Sequence, residues 1–286
     1  MPIADVVDLL ACPVCAGTPP DTALVLDGQA LRCTAGHAYD LARQGHVNLA
    51  GQAAPRHADT APMVAARERV LDSGAYAPVA DAVLAALQRS GGSVSSVLEA
   101  GAGPGWYLAR VLDGLAGPAR GVSLDVSGVA CRRAAVRAGG RRLGSVVGDV
   151  WGRLPLRTGG VDAVLSVFAP RNPAEFARVL RPAGLLVVVA PEPDHLGGLR
   201  EVLGLLEIEP GKQERLAATV AGHLDPVGSA EVRYALPVTA ALAGDLAAMG
   251  PNAFHTPATE LAARVRGAAL PAEVEVAVRV GAWSRP

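Results

Sequence analysis

Apolar positions along the chain alternate between short compact runs and longer stretches at helical spacing. Val94–Ala100 is a short run of apolar and β-compatible residues, and Gly121–Asp125, the segment after Asp162 (Ala-Val-Leu-Ser-Val-Phe) and Leu185–Ala190 are of the same kind. Runs of that length predict buried strands. After the first run, Trp106, Leu108, Ala109, Val111, Leu112 and Leu115 recur at helical spacing. Upstream, Met63–Leu71 and Pro78–Leu87 predict helices separated by Ser73-Gly74. Downstream, Leu196–Leu206, Ala240–Met249 and Pro257–Gly267 predict three more. Glu231–Leu236 and Glu273–Trp283 alternate well enough for an antiparallel pair at a sheet edge. The pattern predicts an α/β fold with a mostly parallel sheet.

The first strand closes on Gly101, Gly103 and Gly105. Strand, glycine turn and helix in that order bring backbone close to a nucleotide-like ligand, since glycine has no Cβ to stand in the way. A plain tight turn is the alternative. The second strand ends in Asp125, about 20 residues on, the spacing of an acid placed for ribose hydroxyls. A dinucleotide site would read Gly-x-Gly-x-x-Gly. Here the run is Glu99-x-Gly101-x-Gly103-Pro104-Gly105, with an acid ahead of the glycines. It resembles motif I of the class I S-adenosylmethionine (SAM) methyltransferases. That resemblance implies SAM as cofactor, Asp125 on its ribose, and Gly148-Asp149 beside its adenine.

A different chemistry opens the chain. Cys12-Pro-Val-Cys15 and Cys33-Thr-Ala-Gly-His37 form a C-x2-C and C-x3-H set. Two short ligand pairs supply the four thiolate or imidazole ligands of tetrahedral structural zinc, with no position left open for catalysis. A disulfide needs an oxidising compartment, and a redox C-x-x-C has no use for the second pair. Ala23–Leu26 and Ala30–Arg32 flank Asp27-Gly28, a hairpin signal inside the set. Cys131 lies in an apolar helical pattern and reads as core.

Composition changes this picture little. Half of the 286 residues are hydrophobic, yet no run of eighteen lacks charge or glycine, so no membrane span is expected. The first residues have no basic n-region, and the expected location is the cytoplasm. Arginine is abundant while lysine occurs once, at Lys212, as coding from a GC-rich genome would give. The net charge of −1 neither invites nor excludes nucleic acid. Arg132, Arg133, Arg137, Arg141 and Arg142 cluster after the second strand, as a solvated helix face or a phosphate track.

The zinc set, Leu41–Leu49 (Leu-Ala-Arg-Gln-Gly-His-Val-Asn-Leu), Ala66-Arg67 and Leu71–Tyr76 together are similar to the bacterial 23S ribosomal RNA (guanine-N1)-methyltransferases, which include housekeeping and macrolide-resistance enzymes. The similarity continues through Gly101–Tyr107, Leu124–Ser127, Phe168–Pro170, Ala190–Leu196 and Met249–Pro251. It implies a zinc-binding, RNA-recognising module over residues 1–50, a linker and helices over 51–90, and a Rossmann-like SAM domain over 91–286. By the same resemblance Cys12, Cys15, Cys33 and His37 hold the zinc, while Tyr76, the Gly103-Pro104 turn and His195 contact SAM. Read by themselves, Tyr76 could be a boundary packing residue and His195 a helix start.

The implied partner is a hairpin of 23S ribosomal RNA. Guanines 745 and 748 are both targets within the family, and the GC-rich coding favours 748 over 745 and a place in macrolide resistance. No membrane partner is expected, and the oligomeric state is open, a homodimer included. Two features depart from the family: the segment Gly51–Pro62 has only Arg56 and His57 as basic residues, and Pro104 replaces a common acid. No general base is evident, although Glu192, Asp194 and His195 share the right loop. A small-molecule methyltransferase and a non-catalytic RNA-binding protein are the competing classes.

Overall fold

The computed structural model describes residues 2–15, 21–50, 58–89, 91–208, 211 and 218–286. An eight-stranded sheet runs in the order β10-β11-β9-β8-β5-β6-β7-β4. Its centre is β5 (Ser96–Ala100), with β6 (Arg120–Asp125) and β7 (Leu143–Val147) on one side and β8 (Val161–Val167) and β9 (Leu180–Pro191) on the other. These five are parallel, whereas β10 (Asp225–Pro237) and β11 (Glu273–Ser284) form the expected antiparallel pair. Successive strands leave β5 in one direction and return at β8 to go the other way. The switch point therefore lies at β5 and β8, where ligands of open α/β sheets bind beyond the carboxyl ends.

Both faces of the sheet are covered, which explains the compact apolar runs. Along the central strands the side chains alternate between two cores. Val97, Leu165, Val167, Val187 and Val189 point to one, Leu98, Val164, Leu186 and Val188 to the other. The first core receives α2 (Ala77–Gln88), α3 (Trp106–Gly114), α7 (Ala240–Ala248) and α8 (Ala258–Gly267). Helix α1 (Ala61–Asp72) also adds Val70 and Leu71 to it, and α4 (Gly128–Arg137) follows β6. The second core receives α5 (Pro173–Val179) and the N-terminal segment through Ile3, Val6, Leu9, Leu10, Leu24, Leu31 and Leu49.

The first fifty residues are thus built into the sheet domain. Gly144 on β7 has no room for a Cβ, because Val6 and Ile3 lie directly against it. A small antiparallel sheet of β1 (Leu24–Asp27), β2 (Ala30–Cys33) and β3 (Ala38–Asp40) carries the anticipated hairpin. The next strand, β4 (Val47–Asn48), leaves it to pair in parallel with β7 at the edge of the large sheet. Two residues are too few for periodicity to reveal.

Two sequence expectations need adjustment. The helix expected over Leu196–Leu206 is α6, only Gly197–Leu203, because Gly204 takes a left-handed conformation (φ 60°) and ends it. The linker expected over Gly51–Pro62 is cut short by α1, which begins at Ala61 with Pro62 in its first turn. Residues 51–57 of that linker, with Arg56 and His57, lie outside the described residues. Among the described residues no single helix is long and apolar enough to cross a membrane.

Candidate active site and metal centre

The metal centre is assembled from the loop before β1 and the turn after β2. Cys12 Sγ, Cys15 Sγ, Cys33 Sγ and His37 Nδ1 lie within 4.8 Å of one another. His37 Nδ1 stands 3.3 Å from Cys15, 3.4 Å from Cys33 and 3.7 Å from Cys12, and Cys15 is 3.9 Å from Cys33. Tetrahedral zinc, with Zn–S of about 2.3 Å and Zn–N of about 2.0 Å, needs ligand separations of roughly 3.5–3.8 Å. The cluster fits that ion. The tight turn at Cys33 is set by Gly36 N–H donating to Cys33 C=O (3.0 Å) and Cys33 N–H to His37 C=O (3.1 Å). One partner was not foreseen: Tyr39 on β3 places its hydroxyl 3.1 Å from Cys12 Sγ, where it can donate to a metal-bound thiolate and orient it.

The second site lies across the carboxyl ends of β5, β6 and β8. Gly101, Gly103 and Gly105 all have left-handed backbone, at φ 72°, 54° and 69°. At Gly101 a Cβ would stand 2.5 Å from Ala169 Cβ, so glycine lets the turn nest against the loop after β8. At Gly103 a Cβ would meet only the Arg67 side chain, leaving the far side of the turn open. Glu99, buried at the end of β5, accepts from the backbone N–H of Leu108 (3.1 Å) in the first turn of α3. Burial, with nearby Asp125, pushes the Glu99 carboxyl up to about 8. Asp125 accepts from Gly103 N–H and Ser127 N–H, each at 2.8 Å, and burial raises its pKa also.

Arg67 of α1 contributes from the side. It donates to Asp59 and to the Met249 carbonyl (2.7 Å), while the Asp59 carbonyl accepts from Ser127 Oγ (2.7 Å). One arginine thus joins α1, the acid-bearing loop after β6 and the end of α7 beside the glycine turn. Asp59 is eight residues away but Met249 is 182, so no local pattern marked its bridging role. Ala66-Arg67 had stood out only through the family resemblance.

Tyr76 and His195 come together although 119 positions separate them. Ala277 N–H donates to His195 Nδ1 (3.2 Å), so the neutral ring carries its proton on Nε2, which faces the Tyr76 hydroxyl at 3.2 Å. Burial holds His195 down to about 4 and keeps it uncharged, and burial also raises Tyr76. With Nε2 donating, the phenol is left to donate its own proton elsewhere. His195 stands one residue before Leu196, the N-cap of α6, and pairs with Tyr76 as well. Phe168 packs over the pair, at centroid distances of 5.8 Å to Tyr76 and 5.9 Å to His195.

The remaining candidates separate. Asp149 is exposed and accepts from Trp151 N–H (2.9 Å), shaping the loop after β7. Asn172 holds the same loop by donating to the carbonyls of Val150, Trp151 and Gly152 at 3.1–3.3 Å. Pro104 stiffens the middle of the glycine turn. Asp194 is ion-paired with Arg233 (2.6 Å), which lowers its pKa, and Glu192 is paired with Arg279 (2.7 Å). The arginine cluster is largely neutralised. Arg133 meets Glu68, Arg137 meets Glu68 and Asp72, Arg141 meets Asp113, and Arg142 meets Asp5. Among the described residues Arg132 has no acidic partner.

Comparison with known proteins finds relatives of the zinc ribbon and of the whole chain. A zinc-ribbon family described as the N-terminal domain of RlmA matches residues 10–50. The 23S rRNA (guanine(748)-N1)-methyltransferase of Streptomyces fradiae is 44% identical over 278 residues, covering 96% of each chain. A protein of Micromonospora griseorubida assigned as a 23S rRNA (guanine-N1)-methyltransferase is also 44% identical, over 98% of each chain. One of Bacillus subtilis with the same assignment is 32% identical over 68% of each. Among solved structures, a chain of the Haloferax volcanii complex between the Trm112 methyltransferase activator and a methyltransferase aligns with a TM-score of 0.52. It is 19% identical, over 78% of this chain and 96% of that one, and shares the fold.

Proposed function

The chain belongs to the 23S ribosomal RNA (guanine-N1)-methyltransferase family, and we propose that it methylates N1 of guanine 748 in a hairpin of that RNA. The observation that carries the reading is the cradle at the switch point. There two buried carboxylates, Glu99 and Asp125, flank an open glycine turn. Uncharged or poorly paired acids in such a place are stabilised by a ligand that brings hydroxyl donors and positive charge. SAM offers both, and when bound it supplies an electrophilic methyl on a sulfonium. Asp125, its two oxygens held by Gly103 and Ser127, would accept from ribose hydroxyls. Glu99 and the Tyr76 hydroxyl would face the amino-acid end, and the Gly148-Asp149 loop the adenine.

Methyl transfer by in-line displacement asks little covalent chemistry of the protein, so the chain's task is to position the acceptor. N1 is on the pairing edge of guanine and is reachable only in an unpaired or extruded base. Its proton must also leave. Glu192 and Asp194 are engaged by arginines, and the accepting nitrogen of His195 is engaged by Ala277. None of the three is set to receive that proton, and we assign no base.

Guanine 748 rather than 745 is supported by the Streptomyces fradiae relative and by the GC-rich coding, which also favours a part in macrolide resistance. A ribosomal RNA substrate supports a cytoplasmic enzyme. The zinc ribbon adds a second surface beside the cradle, since β4 extends from it to the sheet edge next to the loop after β7. The test is a primer-extension map of 23S ribosomal RNA from cells with and without the protein. N1 methylation blocks pairing, and a protein-dependent stop at guanine 748 is expected. A stop at 745 would move the site, and no stop at either would refute the reading.

A further inference from the structure

Ten aromatic side chains are distributed along the chain, and among the described residues two large ones are conspicuously exposed, Trp151 at 69% and Phe168 at 40%. Both are on loops at the carboxyl edge of the sheet. Phe168 has a further peculiarity: it follows the last residue of β8 with left-handed backbone, φ 53°. A bulky residue there is strained, and such strain persists where the surroundings over-determine it, typically at ligand sites. Phe168 N–H still donates to Val189 C=O (3.1 Å), so the twist is imposed while the residue remains tied to the sheet.

The consequence is a ring aimed at the switch point. Ala169, the next residue, packs on Gly101 of the cofactor turn. The inner side of the Phe168 ring lies on Tyr76, edge to face at an interplanar angle of 85°, and against the neutral His195. What remains is a flat apolar surface, open to solvent, beside the place where an acceptor must meet the methyl group. An extruded guanine has lost its neighbours in the stack, and an aromatic face replaces them for any base.

We propose that the exposed face of Phe168 is the stacking wall of the acceptor pocket, holding the extruded guanine in register with the methyl donor. This rests on the methyltransferase reading above. The left-handed backbone is what turns the ring outward from the strand, and Tyr76 and His195 back it from behind.

The test uses the full-length, zinc-loaded enzyme with a 23S hairpin RNA containing guanines 745 and 748. Single-turnover methyl transfer is measured at saturating RNA, and SAM affinity by calorimetry. Phe168→Ala should reduce the transfer rate by about tenfold or more, the scale of one lost base stack, with SAM affinity unchanged. Phe168→Gly should do the same while being no less stable than Phe168→Ala, because glycine accepts a positive φ. Phe168→Tyr and Phe168→Trp should recover the rate, and Phe168→Leu, equally apolar but without a π-face, should not. If Leu matches Phe, the ring is packing only and the proposal is wrong. A loss that tracks SAM affinity would instead make the ring a cofactor contact and overturn it equally. No transfer by the wild-type enzyme to any guanine would remove the methyltransferase reading, and this proposal with it.

Discussion

The zinc centre and the cofactor cradle are two polar sites in one molecule, built on opposite principles. The ribbon collects four ligands within 26 residues, and its charges are to be neutralised by an ion. The cradle draws its groups from Asp59 to Ala277, and its two acids are buried with no ion pair of comparable closeness. One site holds its surroundings together, and the other is held in an unfavourable state by them. The difference predicts that losing a ligand of the first site costs the fold, whereas changing the second redistributes stability and affinity.

The largest effect should follow from Cys12→Ala or Cys33→Ala. Structural zinc in small modules is worth about 10–16 kcal/mol of coupled binding and folding, comparable to the whole stability of a domain. Because Ile3, Leu10, Leu24 and Leu31 share a core with the sheet strands, the loss should spread beyond the ribbon. Elemental analysis should find zinc in the wild type and none in the variants, and calorimetry should show the cooperative melt lowered or abolished throughout. Deleting residues 1–50 should likewise remove SAM binding, since it would uncover one face of the sheet. Variants that lose zinc yet melt like the wild type would show the ribbon to be independent after all.

Next in size are changes to the cradle itself. Gly101→Val has no space beside Ala169 and no comfortable backbone, and should abolish measurable SAM binding. Asp125→Ala removes a charged acceptor, weakening SAM by about 1.5–3 kcal/mol, roughly ten- to hundredfold. It also orphans the N–H groups of Gly103 and Ser127, so some loss of melting temperature should accompany it. Isothermal titration of both variants separates the effects. Wild-type affinity in either would place the cofactor elsewhere.

How much of this could be read beforehand follows from the same contrast. The ribbon was legible because C-x2-C and C-x3-H need only local turns to bring ligands together, and the hairpin between them has its own turn signal at Asp27-Gly28. The central strands were legible because burial on both faces demands continuous apolar runs. In the cradle the glycine turn and Asp125 could be read, since they belong to one strand–turn–helix and the strand beside it. Tyr76 and His195 were each suggested by resemblance alone, and their pairing across 119 positions was not suggested at all. The structural roles of Arg67, Tyr39 and the left-handed Phe168 escaped because tertiary packing makes them significant. The arginine cluster, open between a solvated face and a phosphate track, could not be decided from sequence, because the acids that pair it off come from α1, α3 and Asp5.

An effect of similar size, on stability rather than affinity, should appear in pH dependence. Glu99 has a folded pKa of about 8 against an ordinary 4.5, so between those values the folded state keeps a proton that the unfolded state has released. Its contribution is therefore fully present below about pH 4.5 and is lost as pH rises through about 8. Glu99→Gln keeps an acceptor for Leu108 N–H and should flatten that decline, raising ligand-free stability near pH 7 by about 3 kcal/mol. His195 has the opposite sign. Its pKa is lowered to about 4 from 6.5, so its stabilisation is present above 6.5 and fades as pH falls toward 4. A cationic ligand beside Glu99 favours the ionised form, so SAM binding at neutral pH should release protons. Calorimetry in buffers of different ionisation enthalpy reads this directly, and proton uptake would reverse the assignment.

The smallest expected effect concerns how RNA is gripped, and it sharpens the comparison by testing a route between the two sites. Arg43 is in the turn before β4, and Arg132, in the second turn of α4, lies close enough to His46 to help keep it uncharged. Neither arginine has an acidic partner among the described residues. By contrast Arg32 is held by Asp27 (2.9 Å), and Arg133, Arg137 and Arg141 by Glu68, Asp72 and Asp113. A paired arginine must abandon its carboxylate to meet a phosphate, and exposed pairs are worth little either way. An unpaired one exchanges only counterions, and each phosphate it neutralises adds about 0.7–0.9 to the slope of log affinity against log salt. Arg43→Ala combined with Arg132→Ala should thus flatten the salt dependence of hairpin binding by one to two phosphate contacts. Arg32→Ala combined with Arg141→Ala should leave it nearly unchanged, and both pairs should leave SAM affinity alone. Filter binding across a salt series decides the matter: equal slopes for the two double variants would mean that the edge joining ribbon and cradle is not the path of the RNA backbone.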